Sequence, residues 1–497
     1  MADPVIMWFG RDLRIADNAA LAAAAAVGGP VLAVFVRDEA ASGAWKPGGA
    51  SQWWLHHSLR ALDQSLHAIG SRLILRRGST IEVLLAIASE SGARSIHLTR
   101  GYEPHAARLE QSLDAAGRKI GIEVRRFPGS LLKEPEALLN RSGQPFRVFS
   151  PFWRTLLAAE RPRAPGRAPR QLERPKHWLG SDDLSDWQLV PRKPDWAGGL
   201  RATWEPGEAG ATRRLTALID NALASYATNR DRPDRTGTSL LSPHLHFGEV
   251  SPHQCWHAVQ IAMERHPSLA SGAASFLREL GWREFSYHLL HHWPTLPETS
   301  FRPEFEAFPW EPDDAERRAN LAAWSRGQTG YPIVDAGMRQ LWHTGWMHNR
   351  VRMIAASFLT KHLLVPWQTG ARWFWDTLVD ADLANNAASW QWVAGSGADA
   401  APYFRIFNPI LQGQKFDPDG DYVRHFVPEI ARLPVKFLHA PWTAPTEVLA
   451  MAGVRLGQTY PLPIVGHEQA RHRALTAYAT IKKSGVDSAD GQRLSGE

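Results

Sequence analysis

Between Asp380 and Trp392 the chain reads DADLANNAASWQW, which brings two aspartates, two neighbouring asparagines and two tryptophans into one short stretch. Carboxylates can clasp the hydroxyl and imino groups of a polar ring. A carboxamide both donates and accepts a hydrogen bond, and indoles offer flat faces for stacking. Such a set suits a redox-active cofactor ring, a nucleic-acid base, or a core of odd composition, and residue types alone leave all three open. Asp380 and Asp382 stand too close together for a glycosidase pair, and no third ligand marks a metal site. The GSGADA that follows falls short of a phosphate-loop fingerprint.

Three more constellations carry chemistry. Tyr226 and Arg230 precede TGTSLLSPHLHFG, in which the hydroxyls of Thr238, Ser239 and Ser242 and the nearby backbone N–H groups could hold a diphosphate. An ordinary helix cap uses the same residues. In FLRELGWREF, Glu279, Trp282 and Arg283 fall at i, i+3 and i+4 and share a helix face. That face suits a polar aromatic ligand, although a salt bridge beside a packed Trp looks the same. In WMHNRVRM, Asn349, Arg352 and Met353 share a face, while Arg350 and Arg352 point to different sides. One arginine could then meet a phosphate and the other a cofactor.

Composition narrows the class. The chain has 497 residues, 44% hydrophobic and 21% charged, with a net charge of +6, as expected of a globular protein of two or three domains. The basic balance, mostly arginine, permits a nucleic-acid partner. The 22 tryptophans are unusual; packing in large cores must explain most of them, and a chain that stacks bases or passes electrons between rings would also need several. Cys255 is the single cysteine, which excludes an internal disulfide, a cysteine-based zinc site and an iron–sulfur cluster. No signal peptide and no apolar run long enough to span a membrane is legible, so a cytoplasmic protein is expected.

The elements that must position these residues follow from periodicity. Short apolar runs at 5–9, 31–36, 72–76, 95–99 and 123–127 alternate with helical spacing at 18–26, 52–69, 80–91 and 104–120. That alternation predicts a parallel, Rossmann-like α/β domain over 1–130. No GxGxxG follows the first strand, so a nicotinamide site is not supported. Residues 131–205, rich in Pro, Arg and Trp, read as a linker that wraps the surface. From 206 to 484 the pattern is helical and predicts an all-α domain, with helices at 209–230, 252–262, 272–292, 313–327, 333–344, 349–363, 368–378 and 466–484. A polar, frayed tail is expected over 485–497.

Six stretches in this order resemble the photolyase/cryptochrome family: WFGRDLRIADN, TSLLSPHLHFGE, LRELGWREF, TGYPIVDAGMRQL, WMHNRVRM and DADLANNAASWQWVAGSGADAAPYFRIFNP. The resemblance covers almost the whole chain. It implies an α/β antenna domain and a helical domain that binds FAD and DNA. By position, Tyr226, Thr238, Ser239, Leu240, Leu241 and Ser242 resemble the flavin-phosphate contacts. Arg283, Arg352, Asp380 and Asp382 resemble residues around the flavin, and Asn386 the residue facing flavin N5. Plant cryptochromes usually carry Asp there and animal ones often Cys, so Asn points to a repair enzyme with reduced FAD. Trp390, Trp367 and Trp310 resemble the electron-carrying tryptophan chain.

Glu279, Trp282, Asn349, Met353 and Trp392 resemble the pocket for a cyclobutane pyrimidine dimer, with Glu279 also in a catalytic part. Arg230, Arg350, Arg405 and Lys415 resemble contacts to DNA phosphates. HNRVRM argues against the (6-4) branch, whose members are His-rich there. NNAASWQW departs from the NNGGWQW of many class I members and, with GASQWWLHHSL, is similar to the bacterial class III branch. The implied activity is light-driven splitting of pyrimidine dimers in DNA by an electron from excited reduced FAD. The alternatives are a cryptochrome-type photoreceptor and an inactive flavin-holding nucleic-acid binder. The implied antenna is methenyltetrahydrofolate, with a deazaflavin second and Glu103 its one named contact. A monomer is expected.

Overall fold

We describe the protein from a computed structural model covering residues 2–399 and 404–493, with side chains as far as Lys482 in the last helix. The chain forms two compact units. The first comprises Met1–Ala227, Thr238–Pro294 and Val379–Ala384; the second comprises Thr228–Gly237, Thr295–Leu378 and Asn385–Glu497.

The first unit holds a five-stranded parallel sheet: β1 (Val5–Phe9), β2 (Val31–Arg37), β3 (Leu73–Arg77), β4 (Ser95–Thr99) and β5 (Glu123–Phe127), in the order β3-β2-β1-β4-β5. Composition explains the order. VIMWF and VLAVFVR are apolar almost throughout and are covered on both faces, as parallel strands require. EVRRF alternates charge with apolar residues and lies exposed at the edge. The first helix spans Ala19–Ala26, and Asn18, expected inside it, caps it by accepting from Leu21 N–H at 3.0 Å. The other three α/β helices, Gly49–Ala68, Thr80–Ser91 and Pro104–Lys119, fall where periodicity puts them.

The 131–205 stretch is more than a surface wrap. It forms a helix, Phe149–Ala158, and buries Leu172, Trp187 and Leu200. Its backbone also completes the sheet's surroundings, since Val31 N–H donates to Glu173 O at 3.1 Å and Asp182 N–H to Leu75 O at 2.8 Å. Proline at this density prevents long helices without preventing burial. The expected 209–230 helix is interrupted: Glu208–Ala217 gives way to a π-helical turn at Leu218–Ala222. There the Leu223 carbonyl lies against Gly272, where any Cβ would collide with it. Gly272 belongs to the long helix Ala270–His292, which carries Glu279, Trp282 and Arg283.

The second unit is helical, as expected: Ala315–Arg326, Pro332–Thr344, Asn349–Ser357, Trp367–Thr377 and His467–Arg493. The 349–363 helix is not regular to its end, because Phe358–His362 forms a second π-helical turn. The Leu383–Ala394 helix, not foreseen as such, carries Asn386, Trp390 and Trp392. Gly370 allows that helix to pack, since a Cβ there would come within 2.2 Å of the Trp390 ring edge. The last helix runs to Arg493, well past the expected start of a frayed tail at 485, and residues 494–497 lie outside those described. No described helix is long and apolar enough to cross a membrane.

Candidate functional site

Asp382 is buried in the first unit. Tyr287 Oη donates to its Oδ2, and His246 Nδ1 lies 3.6 Å from the same oxygen. Burial pushes its carboxyl up, but the His246, Arg283 and Tyr287 contacts outweigh this and hold it well below the usual carboxylate range. Burial and the nearby carboxylate push the Tyr287 hydroxyl far up, so it stays a donor. Burial and the nearby Arg11 lower His246, against the opposing pull of Asp382. The result is a fixed anion. Asp380 is buried two residues earlier. Tyr287 and His246 escaped the sequence reading. Tyr287 follows Arg283 by four residues, so the shared helix face was the signal that could have found it.

The Thr238–Ser242 turn has a backbone feature that composition could not give. Leu240 adopts φ +53°, rare for a branched side chain, and Leu241 follows in the right-handed region at φ −90°, ψ −7°. A left-handed residue followed by a right-handed one turns successive N–H groups toward a single concavity, which binds anions. Ser239 Oγ also accepts from Leu241 N–H at 3.3 Å. A diphosphate fits this turn. Ser242 is exposed, and Tyr226 is buried with its ring edge-on to Phe276 at 5.7 Å.

On the Ala270–His292 helix the expected shared face divides by burial. Glu279 and Trp282 are half-buried, whereas Arg283 is buried. Arg283 Nη1 donates to Ser130 O at 2.8 Å, and its guanidinium lies 4.8 Å over the Tyr287 ring. Arg283 therefore acts on Asp382 as a nearby charge. Trp282 stacks on Phe149 with centroids 3.6 Å apart and planes 8° from parallel. One indole face is thereby fixed by the helix that the connector contributes.

In the second unit, Asn386 Nδ2 donates to Ala371 O at 3.0 Å. That bond orients the carboxamide and leaves Oδ1 to accept a hydrogen bond, which fits a flavin protonated at N5. Trp390 is buried four residues later, and its ring neighbours are Phe374 at 4.9 Å and Trp324 at 6.3 Å. Trp324 stacks on Phe374 and was not singled out by sequence. Trp367 is buried, with an indole N–H that has no hydrogen-bond partner among the described residues, and Trp310 packs on Phe308 at 4.4 Å. Trp392 sits half-buried, its Nε1 donating to Asp399 O at 3.0 Å. Two residues along a helix is about 200° of rotation, so Trp390 and Trp392 face opposite ways.

The expected phosphate contacts differ in availability. Arg405 and Lys415 are exposed, and Arg230 is half-buried. Arg350 is committed elsewhere, with Nη2 2.9 Å from Asp231 Oδ1 and its guanidinium 4.4 Å over Phe416. Asn349 is exposed and Met353 half-buried on the same helix, and Arg352 Nε donates to Met347 O at 2.7 Å. Glu103 is buried and bound to Arg11, with His105 at 3.4 Å. Its carboxylate thus serves an internal pair.

Comparison with known proteins bears on both units. Residues 5–170 match the model described as DNA photolyase, and residues 276–480 that of the FAD binding domain of DNA photolyase. A deoxyribodipyrimidine photo-lyase of Agrobacterium fabrum is 54% identical, over 97% of this chain and 98% of its own. The chain belongs to the photolyase/cryptochrome family. Within that family, the crystal structure of a bacterial class III photolyase from Agrobacterium tumefaciens superposes with a TM-score of 0.94 at 53% identity, covering 97% of this chain and 98% of that one. Cryptochrome-1 of Arabidopsis thaliana is 40% identical over 94% of this chain and 69% of its own length. Membership of the photolyase/cryptochrome family gives the carboxyl-terminal part as a FAD-binding domain, and the Leu240 turn, the Asp382 anion and the Asn386 carboxamide each fit that group.

Proposed function

We propose that this protein is a class III-type photolyase that splits cyclobutane pyrimidine dimers in DNA under light. The observation that carries this reading is the 54% identity over nearly the whole length of a protein named for that reaction. When bound, reduced FAD excited by light supplies the electron that opens the cyclobutane ring and receives it back. This chain's residues hold and orient. The 238–242 turn takes the diphosphate, Asp380, Asp382 and Arg352 hold the flavin, and Asn386 Oδ1 accepts from N5–H. Trp390, Trp367 and Trp310 carry electrons toward it when it must be reduced. Glu279, Trp282, Asn349, Met353 and Trp392 receive the flipped dimer, whose damaged stacking makes extrusion cheap. Arg230, Arg405 and Lys415 meet phosphates, and Arg350 joins them by releasing Asp231.

The antenna is methenyltetrahydrofolate in this reading, with a deazaflavin second, and Glu103 acts through Arg11 rather than on the chromophore. Functionally, 1–130 serves the antenna and 206–484 FAD and DNA, in a cytoplasmic monomer. The likeness to Cryptochrome-1 favours a second reading, a photoreceptor without repair. Illuminating the protein with dimer-containing DNA separates the two, since a repair enzyme restores thymine and a photoreceptor does not. Spectra of the extracted chromophores settle the antenna.

A further inference from the structure

Lys361 lies in the π-helical turn Phe358–His362 and is only 2% exposed. Its Nζ donates to Arg405 O at 2.7 Å and sits 4.0 Å over the Phe404 ring. Phe404 is itself stacked on Tyr478 of the last helix, at 4.5 Å and 9°. A cavity of about 20 Å³, room for one water molecule, is lined by Lys361 together with Trp392, Gly395, Arg405 and Phe407 among others. Trp392, which lines it, donates from Nε1 to Asp399 O. Lys361 thus fixes the backbone of an exposed arginine and shares a cavity with a tryptophan, both of which face DNA in the reading above.

A structural role explains this lysine poorly. Among the described residues no carboxylate pairs with it, and a buried cation without a counter-charge destabilises a fold even where it is hydrogen-bonded. Other charged or titratable groups close by are Arg405 and Arg302, both lining the cavity. Arg302 is neutralised by Glu304 at 2.6 Å. Tyr478 contributes a hydroxyl, with Lys482 5.2 Å over its ring. On the same turn, His362 is bound to His467. Burial, and then the charge of Arg405, push the Lys361 ammonium down to about 7. A methionine would fill the same space without that penalty.

We propose that Lys361 is a positioning residue for lesion recognition, its ammonium holding the Arg405 backbone beside the cavity that Trp392 also lines, so that the grip on a dimer depends on the charge of a lysine that does not itself touch DNA. The inference rests on the repair reading. The test is dark binding of the FAD-loaded protein to dimer-containing and undamaged oligonucleotides, at pH values on either side of 7. For the parent, affinity for the dimer falls as pH rises through about 7 and the ammonium loses its proton. Lys361→Arg, always charged, keeps the low-pH affinity and loses the step.

Lys361→Met binds the dimer roughly tenfold more weakly at low pH, the size of one coupling between neighbouring groups, and shows no step. Its Tm at low pH is no lower than the parent's, because a buried charge is gone. Should the arginine not be accommodated, the methionine variant decides alone. Parent-like affinity with the pH step intact, or weakened binding with a lowered Tm, would overturn the proposal. A parent that binds damaged and undamaged DNA equally would sink the repair reading and this inference with it. A parent that discriminates, with variants that do so equally well, would sink the inference alone.

Discussion

Trp390 and Trp392 stand two residues apart, and the helix turns one into the core and leaves the other half-buried. Their opposite roles make opposite predictions. Trp392→Ala should weaken binding of dimer-containing DNA by about 1–3 kcal/mol, one aromatic–base stack, while the flavin spectrum stays. Unchanged affinity in a binding titration would remove Trp392 from the lesion contacts. Trp390→Phe should slow photoreduction of oxidised FAD and leave repair with chemically reduced FAD nearly intact. Photoreduction at the parent rate, followed by absorbance, would mean that another ring donates. The types and spacing of these residues were legible because the motif is local. Tyr287 was marked only by the helix face it shares with Arg283, and His246 reaches Asp382 from far away in sequence with no local pattern to mark it.

At the scale of elements, alternation of apolar runs and helical spacing gave all five strands, because a buried parallel strand must be apolar and short. Interruptions were harder to see. The π-helical turns at Leu218–Ala222 and Phe358–His362 have ordinary helical composition, and the first of them runs into the close approach of the Leu223 carbonyl to Gly272. Packing also makes Gly370 a sensitive position. Gly370→Ala should cost about 1–3 kcal/mol, as overpacking does, or else move Trp390, and a denaturant titration with a photoreduction trace reads both. Glu284 tests how the Ala270–His292 helix is anchored. Its carboxylate accepts from Leu132 N–H at 2.8 Å, and burial pushes it up to about 7. A raised carboxylate binds its proton more tightly folded than unfolded, so this group's stabilising contribution is full at low pH. It fades between the ordinary value of 4.5 and about 7. Glu284→Gln keeps an acceptor oxygen and should flatten Tm against pH across that window; an unchanged slope would reassign it.

For the molecule as a whole, the net charge of +6 allowed DNA as a partner without requiring it. Affinity for DNA should fall with salt, and Arg405→Ala or Lys415→Ala should each reduce the logarithmic salt slope by about 1 if the residue meets a phosphate. Arg350, tied to Asp231, should contribute less. Fold class was legible because the α/β and all-α halves differ in period. How the chain divides spatially was not, since short segments such as Val379–Ala384 pack with distant sequence. The central claim, repair rather than signalling, meets its most direct test in one measurement. The protein, with its FAD fully reduced and under anaerobic conditions, is illuminated with dimer-containing DNA, and recovery of thymine absorbance is followed against a dark control. The account predicts recovery that requires light and continues over many turnovers. No recovery in the light, with the flavin shown to be reduced and the DNA shown to be bound, would contradict it.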